Sequence, residues 1–307
     1  MAAPTMSPPL RIALVTGASM AKPDPETHWL VAALANQGVA TDVLPWDGTT
    51  PWATYPLVVV RTPWDYFQRL PEFLAWAERT SASTRLVNPL AVLRWNSHKG
   101  YLRELAQHGI ATVPTHWLEH CPGLSPQVRE QQAHTELQAL GAQGWEELVV
   151  KPAVSIGAIG ALRARVADPA CATHLAALRA EGDVLVQPYL PSLAESGEAS
   201  LVYFGGQFSH AIRKRPAAGD FRVQDMYGGT VEACTPTPEE TALAAQALAC
   251  TPAPTTYARV DLVRLPDGRP AVMELELIEP ELFLGADPQA PERFAQVLKT
   301  LATLQNQ

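Results

Sequence analysis

Tyr257-Ala-Arg-Val-Asp-Leu-Val-Arg264 and Ala271-Val-Met-Glu-Leu-Glu-Leu277 are two strand-like runs separated by Leu265-Pro-Asp-Gly-Arg-Pro270. The Asp267-Gly268 pair signals a tight β-hairpin, because the central positions of such turns require positive φ. With Asp267 and Gly268 as the loop, Asp261 pairs with Glu274 and Arg259 with Glu276. A four-residue loop keeps this register and a three-residue loop breaks it. Side chains alternate along a strand, so these four share one face, while Val260, Leu262, Met273, Leu275 and Leu277 share the other, apolar face. Two carboxylates about 5 Å apart repel by roughly 3 kcal/mol at an effective dielectric of ~20. Something positive must offset this. Arg259 does so if the face is simply charged and solvated; a divalent cation does so if the acids form a site. Three oxygen donors (Asp261, Glu274, Glu276) without His or Cys suit magnesium or manganese rather than zinc.

Magnesium held by few carboxylates completes its shell with water and phosphate oxygens, so cationic residues are expected elsewhere. Lys151 closes the apolar run Leu148-Val-Val150 and precedes Ser155-Ile-Gly-Ala-Ile-Gly160. Such a small-residue loop either lays backbone N–H groups against phosphate or is an ordinary turn. Neither the P-loop nor the dinucleotide fingerprint occurs in the chain. Val92 to Gly109 reads as one helix carrying Lys99, Val113 to Thr115 as a strand entry, and Glu130 to Leu140 as a second helix. Beyond them lie short strand candidates with few helices between, at Val184–Val186, Ala199–Phe204 and Gln207–Ile212, which predicts an antiparallel-rich α+β region.

Toward the N-terminus, Arg11–Gly17 and Leu57–Val60 read as buried parallel strands, alternating with helices over Thr27–Gln37 and Leu70–Arg79. This is a doubly wound α/β unit spanning residues 1–90. Arg61-Thr-Pro-Trp-Asp-Tyr66 follows the carboxyl end of the second strand, where open α/β sheets bind ligands. Arg61 then takes a carboxylate and Asp65 an ammonium beside Trp64; the other reading has Trp64 and Asp65 capping the next helix.

The 307 residues are 47% hydrophobic with a formal charge of −8, and basic residues cluster only at Arg213-Lys214-Arg215, which argues against nucleic-acid binding. No apolar run approaches membrane-span length, and Met1–Leu10 does not resemble a secretory signal. The 4 cysteines are widely spaced and suit a reducing cytoplasm.

From about Val92 to Leu284 the chain resembles the ATP-grasp superfamily of carboxylate–amine ligases. Lys99 in Asn96-Ser-His-Lys-Gly100 resembles that family's first nucleotide lysine and Lys151 its second; Ser155, Gly157 and Gly160 fall in the loop that closes over the phosphates. Val186-Gln-Pro-Tyr-Leu190 resembles the adenine-receiving hinge, with Gln187, Pro188, Tyr189 and Leu190 as contacts and Glu198 as a further polar contact. Gln187 stands where many relatives have Glu, and Glu276 where most have Asn. Gly219-Asp-Phe-Arg222 and Tyr227-Gly-Gly229 are similar to glutathione-synthetase and glutamate-ligase segments, which implies that Arg222, Gly228 and Gly229 hold an acyl phosphate.

The resemblance implies an α/β plus α+β ATP-grasp fold, with a parallel-sheet domain over 1–90 and ATP-grasp subdomains over 91–186 and 187–307. It implies ATP, Mg2+ or Mn2+, and a two-step ligation through an acyl phosphate, with Lys151, Arg222 and Arg259 catalytic. The partners are small molecules, an amino-acid-like carboxylate and an amine, with a homo-oligomer left open. The strings at 186–191, 206–216 and 273–282 look most like a branch that includes D-cycloserine-forming cyclo-ligases, which close O-ureido-D-serine. Arg61, Trp64, Asp65, Arg213, Arg222, Gly228 and Gly229 are then the expected substrate contacts.

Three other readings are available. A nucleotide sensor would keep the lysines and hinge without acyl-phosphate residues. Ala153-Val-Ser-Ile-Gly157 resembles a variant hydrolase elbow, with His174 or His210 as base, and Ser19-Met-Ala-Lys22 matches S-x-x-K. His116, His120 and Cys121 offer nitrogen and sulfur ligands to zinc.

Overall fold

A computed structural model describes residues 10–18 and 24–304; the S-x-x-K match and the segment read for a signal lie outside these, apart from Leu10. The N-terminal elements are β1 (Arg11–Thr16), α1 (Pro25–Asn36), β2 (Ala40–Pro45), β3 (Leu57–Thr62), α2 (Leu70–Ser83) and β4 (Arg85–Val87). The strands form a parallel sheet in the order β2-β1-β3-β4. All six β3 residues are buried, as expected for a strand covered on both faces.

Next come α3 (Leu90–Asn96), α4 (Tyr101–Gln107), β5 (His116–Leu118), α5 (Pro126–Ala142), β6 (Glu147–Pro152), β7 (Leu162–Arg165), α6 (Pro169–Glu181) and β8 (Val184–Pro188). Their antiparallel sheet has the order β5-β8-β6-β7. The single helix expected over Val92–Gly109 is broken in two, and Lys99 sits in the break. There its N–H donates to Ala153 O at 2.9 Å, docking the junction onto the end of β6.

The last elements are α7 (Ser192–Ser196), β9 (Glu198–Phe204), β10 (Gln207–Arg215), β11 (Thr230–Ala233), α8 (Pro238–Ala249), β12 (Tyr257–Arg264), β13 (Pro270–Glu276) and α9 (Ala290–Thr303). The antiparallel sheet runs β11-β10-β9-β12-β13. More helices separate these strands than the sequence suggests, because α6 and α8 are alanine-rich (Ala-Cys-Ala-Thr-His-Leu-Ala-Ala, Ala-Leu-Ala-Ala-Gln-Ala-Leu-Ala), and alanine marks a buried face only weakly. Helix α9 buries Phe294, Ala295, Leu298 and Ala302 in one core with α1 residues Leu30 and Leu34 and with Phe204 and Tyr257.

The β12–β13 hairpin reaches the expected pairing by an unexpected route. Leu265 N–H donates to Arg269 O, so Pro266, Asp267 and Gly268 form a three-residue loop, with Gly268 at φ +84°. That loop pairs Leu262 with Val272, one residue out of the expected register. A β-bulge at Met273 restores it, and Asp261 faces Glu274 while Arg259 faces Glu276. Met273 consequently leaves the apolar face and lies 3.9 Å from Lys151 Nζ.

The outer edge of β13 is finished by groups from earlier in the chain. Asn96 Nδ2 donates to Leu275 O at 2.6 Å, its Oδ1 accepts from Leu277 N at 2.8 Å, and the Tyr101 hydroxyl accepts from Leu275 N at 3.1 Å. Asn88 Nδ2 donates to Leu277 O and Tyr257 O, and Val272 N donates to Ala111 O. The acid-bearing strand therefore has no free edge over these residues, and its position is tied to residues 88–111.

Replacing Asn96 by Ala should lower stability by about 2–4 kcal/mol in denaturant unfolding, because a buried donor and acceptor both lose their partner. A second prediction concerns pH. Glu26 accepts N–H bonds from Leu282 and Leu284 at 2.7 and 2.6 Å, and burial pushes its carboxyl up to about 7, although Arg61 opposes this. Between the unfolded value and 7 the native state holds the extra proton, so stability falls as pH rises, by up to ~3 kcal/mol from this group. Thermal unfolding of Glu26→Gln across pH 5–8 should show that slope reduced.

Candidate active site

A cavity of about 720 Å³ opens between the β12–β13 hairpin, residues 96–101, the 155–159 loop and residues 223–231. Beside it lies a smaller slot of about 100 Å³ under the hinge, lined by Lys151, Gln187, Tyr189, Leu190 and Met273. Lys99, Ser155, Gly157 and Glu274 line both spaces and mark the join between them.

Opposite charges alternate through this wall. Lys214 Nζ lies 2.5 Å from Glu198 and 3.3 Å from Asp261; Arg259 bonds Asp261 at 2.9 Å and also Glu276; Lys99 Nζ lies 3.0 Å from Glu274. The Ser200 hydroxyl donates to Asp261 at 2.5 Å. Burial would raise the Asp261 carboxyl, but Arg259 and Lys214 outweigh it and hold the group at about 2. Burial would likewise lower Lys214, yet Asp261 and Glu198 keep it above its ordinary value. Glu276 goes the other way, pushed by burial up to about 8, because Arg259, the cation it bonds, is shared with Asp261, and Asp261 and Glu274 raise it further. Lys151 is lowered by burial, with Glu274 opposing. It lines the slot, with its ammonium 3.9 Å from the Met273 sulfur.

Each of the three expected metal ligands is thus already turned to a cation. Among the described residues no three His, Cys, Asp or Glu side chains converge as a ready-made metal cluster. Glu274 and Glu276 nevertheless face the cavity and are partly exposed, at 27% and 24% of their side-chain area. A pair of carboxylates completed by phosphate oxygens is an ordinary magnesium arrangement, so these residues fit the ion. Asp261 is 2% exposed and its oxygens are spent on Arg259, Lys214 and Ser200, which makes it the anchor of the two cations.

Several expected contacts lie elsewhere. Arg61 is buried, 5.8 Å from the Tyr257 and Phe294 ring centroids, donating to Pro280 O and lying 3.8 Å from Glu26; it cannot reach a ligand in the cavity. Asp65 accepts from Trp46 Nε1 at 3.0 Å and makes no helix cap. Trp64 does line the cavity and donates to Glu279 O at 3.1 Å. On β10, Arg213 points to the opposite face, toward Glu240 and Ser196 O, because neighbouring strand residues alternate. Lys214 faces the site instead.

Gly229 N–H is used by Gln224 O, and a Cβ there would lie 2.2 Å from Val223 O, so this glycine permits a tight turn and does not offer its N–H to an acyl phosphate. Gly228 and Gly160 line neither space. Arg222 lines the slot, paired with Asp220 at 2.7 Å and stacked 3.7 Å from the Tyr227 ring centroid. Pro188 and Glu198 also line the slot.

The hydrolase elbow lacks a base: His174 bonds Gly160 O and His210 bonds Leu282 O, while Ser155 Oγ donates to Pro152 O. His116 bonds Glu136 and His120 bonds Ala180 O, so the expected zinc ligands do not converge.

Residues 12–88 match the family described as the N-terminal domain of D-cycloserine synthetase DcsG, and residues 118–251 the ATP-grasp domain of prokaryotic glutathione synthetase. The cycloserine biosynthesis protein DcsG of Streptomyces lavendulae is 37% identical over 94% of this chain and 97% of its own. The chain belongs to the DcsG family of ATP-grasp ligases. A crystal structure of D-cycloserine synthetase DcsG superposes with a TM-score of 0.83 at 35% identity, over 95% of this chain and 99% of that one. An ATP-grasp RimK domain protein from Sphaerobacter thermophilus shares the fold at 20% identity, with a TM-score of 0.66 over 94% and 98% of the two chains. As a DcsG-family member the protein is an ATP-dependent carbon–nitrogen ligase acting on small molecules with a divalent metal, which replaces the sensor and hydrolase readings. No helix among the described residues is long and apolar enough to cross a membrane.

Lys214 was the member of its basic triplet that the sequence could not single out, and Thr115, which accepts from Gln187 Nε2 at 2.9 Å, carried no signal at all. Removing Lys214 strands two buried carboxylates, so Lys214→Met should cost about 3–5 kcal/mol in equilibrium unfolding and abolish ADP release. Arg213→Ala should change the ADP-release rate by no more than roughly twofold.

Proposed function

We propose that the protein is a magnesium-dependent cyclo-ligase that closes an amino-acid-derived ring, with O-ureido-D-serine as substrate and D-cycloserine as product. The observation that carries this reading is the alternating Lys99, Lys214 and Arg259 wall around Glu274 and Glu276, in a chain 37% identical to DcsG over almost its whole length. The adenine of ATP occupies the slot beneath Gln187 to Leu190, and its phosphates lie at the join, beneath the Ser155–Gly160 loop. Thr115 takes the Gln187 amide N–H and itself donates to Val113 O, which leaves the Gln187 carbonyl to accept from the 6-amino group of adenine.

In the first step a substrate carboxylate oxygen attacks the γ-phosphorus and ADP leaves. Lys99, Lys151 and Arg259 offset the negative charge gathered there; they are held in place before reaction and need no reorganisation. Glu274 and Glu276 would hold the magnesium ion, which would supply further neutralisation of phosphate charge. In the second step the ureido nitrogen that is bonded to oxygen attacks the acyl carbon, the ring closes and phosphate leaves, with Arg222 released from Asp220 to hold that phosphate. Hydrolysis then removes the carbamoyl group from the ring nitrogen as carbon dioxide and ammonia, which gives D-cycloserine. Water would destroy the acyl phosphate, and the loop carrying Ser155 and Gly157 covers the join against it. Trp64 and Gly229 bound the compartment left for the substrate.

With O-ureido-D-serine as substrate, Glu274→Gln should lose magnesium-dependent ADP release while keeping the native unfolding curve; full activity in the variant would refute the metal role. Lys151→Ala should weaken ATP binding by about tenfold or more in calorimetry, the loss of one charge-assisted phosphate contact.

A further inference from the structure

Glu279 is an acid of the cavity wall that makes no ion pair among the described residues. Glu274 faces Lys99 and Glu276 faces Arg259, but among the described residues no lysine, arginine or histidine nitrogen lies within 4 Å of the Glu279 carboxylate. The neutral Tyr66 hydroxyl is its neighbour in the cavity wall, on a ring packed 4.9 Å from Phe73. Both residues line the large cavity and neither lines the adenine slot, which places them on the substrate side of the join.

The backbone around Glu279 is pinned on three sides. Trp64 Nε1 donates to Glu279 O at 3.1 Å, the Tyr257 hydroxyl to Ile278 O at 2.9 Å, and Arg61 to Pro280 O at 3.3 Å. Arg61 and Trp64, which the sequence suggests as substrate contacts, hold the segment that presents this acid. Such support is what a binding group needs if it is to be in position before its ligand arrives. Burial pushes the carboxyl up to about 7, and Lys99 and Arg259, neither of them within ion-pair distance, only partly oppose it.

We propose that Glu279, with the Tyr66 hydroxyl beside it, binds the α-ammonium group of the amino-acid substrate. The inference rests on the ligase reading above and adds which part of the substrate is recognised, and by what. An ammonium offers three donors: Glu279 accepts with its carboxylate, Tyr66 accepts with its hydroxyl oxygen, and the charge of the acid is answered. A substrate analogue without the amine would leave the carboxylate buried and unpaired, so the site discriminates against it.

The test compares O-ureido-D-serine with its deamino analogue, 3-(ureidooxy)propionate, by turnover and by calorimetric binding to the protein loaded with Mg2+ and a non-hydrolysable ATP analogue; D-serine and 3-hydroxypropionate serve as a second pair for binding. The unsubstituted protein should favour each amine over its deamino partner by roughly 10- to 100-fold, and Glu279→Gln should reduce that ratio to within a few-fold, with ATP affinity unchanged. Tyr66→Phe should reduce it partially, and serves as the second variant if Glu279→Gln does not fold. An unaltered amine preference in Glu279→Gln overturns the proposal, as does loss of Mg2+-dependent nucleotide binding, which would make Glu279 part of the metal site. No amine preference in the unsubstituted protein also overturns it. Absence of turnover with retained amine preference in binding counts against the cyclo-ligase reading and leaves Glu279 assigned.

Discussion

Lys214 sits between Glu198 and Asp261, almost wholly buried, and Arg259 continues the alternation from Asp261 to Glu276. A buried charge is tolerated only when its neighbours answer it, and here each of the three inner members, Lys214, Asp261 and Arg259, answers two others. These residues come from β9, β10, β12 and β13, so the network fixes four strands relative to one another as well as holding two cations ready for an anion. Its outermost member, Glu276, shares a cation and is the least satisfied. The network is stable without ligand yet unbalanced at the end that faces the cavity, where a positive ion fits.

Much of this was legible because strand alternation and turn chemistry are local. The facing of Asp261 with Glu274 followed from the Asp-Gly turn, although two irregularities cancel to produce it: a three-residue loop and the bulge at Met273. A bulge has no composition signature strong enough to be read in a single sequence. What stayed hidden was tertiary. Arg61 lies near the carboxyl end of a parallel strand, next to where open sheets bind ligands, but its partners Glu26, Tyr257, Pro280 and Phe294 are brought to it only by the fold. The choice of Lys214 over Arg213 depended on the phase of β10, which the run Gln207–Arg215 alone does not set.

The N-terminal unit serves the chemistry from a distance. Glu26 receives the N–H groups of Leu282 and Leu284, the Tyr257 hydroxyl shares its one proton between Ile278 O and Val60 O, and α9 packs on α1, so the residues that follow the acidic hairpin are held by a domain that, among the described residues, supplies Trp64 and Tyr66 alone to the cavity wall. Burial of one shared apolar core links the two parts, which leaves little room for independent movement of the hairpin.

The way β13 ends its sheet bears on how the molecule can be dissected. The recognisable glutathione-synthetase-like portion begins at residue 118, but the groups that complete the β13 edge are Asn88, Asn96, Tyr101 and Ala111. A fragment cut at that boundary would retain the acidic hairpin and expose a row of unpaired amides beside Leu275 and Leu277, an invitation to strand addition by another chain. The nucleotide-binding half of this enzyme is therefore not a module that can be lifted out: its minimal unit reaches back through the helices that precede it.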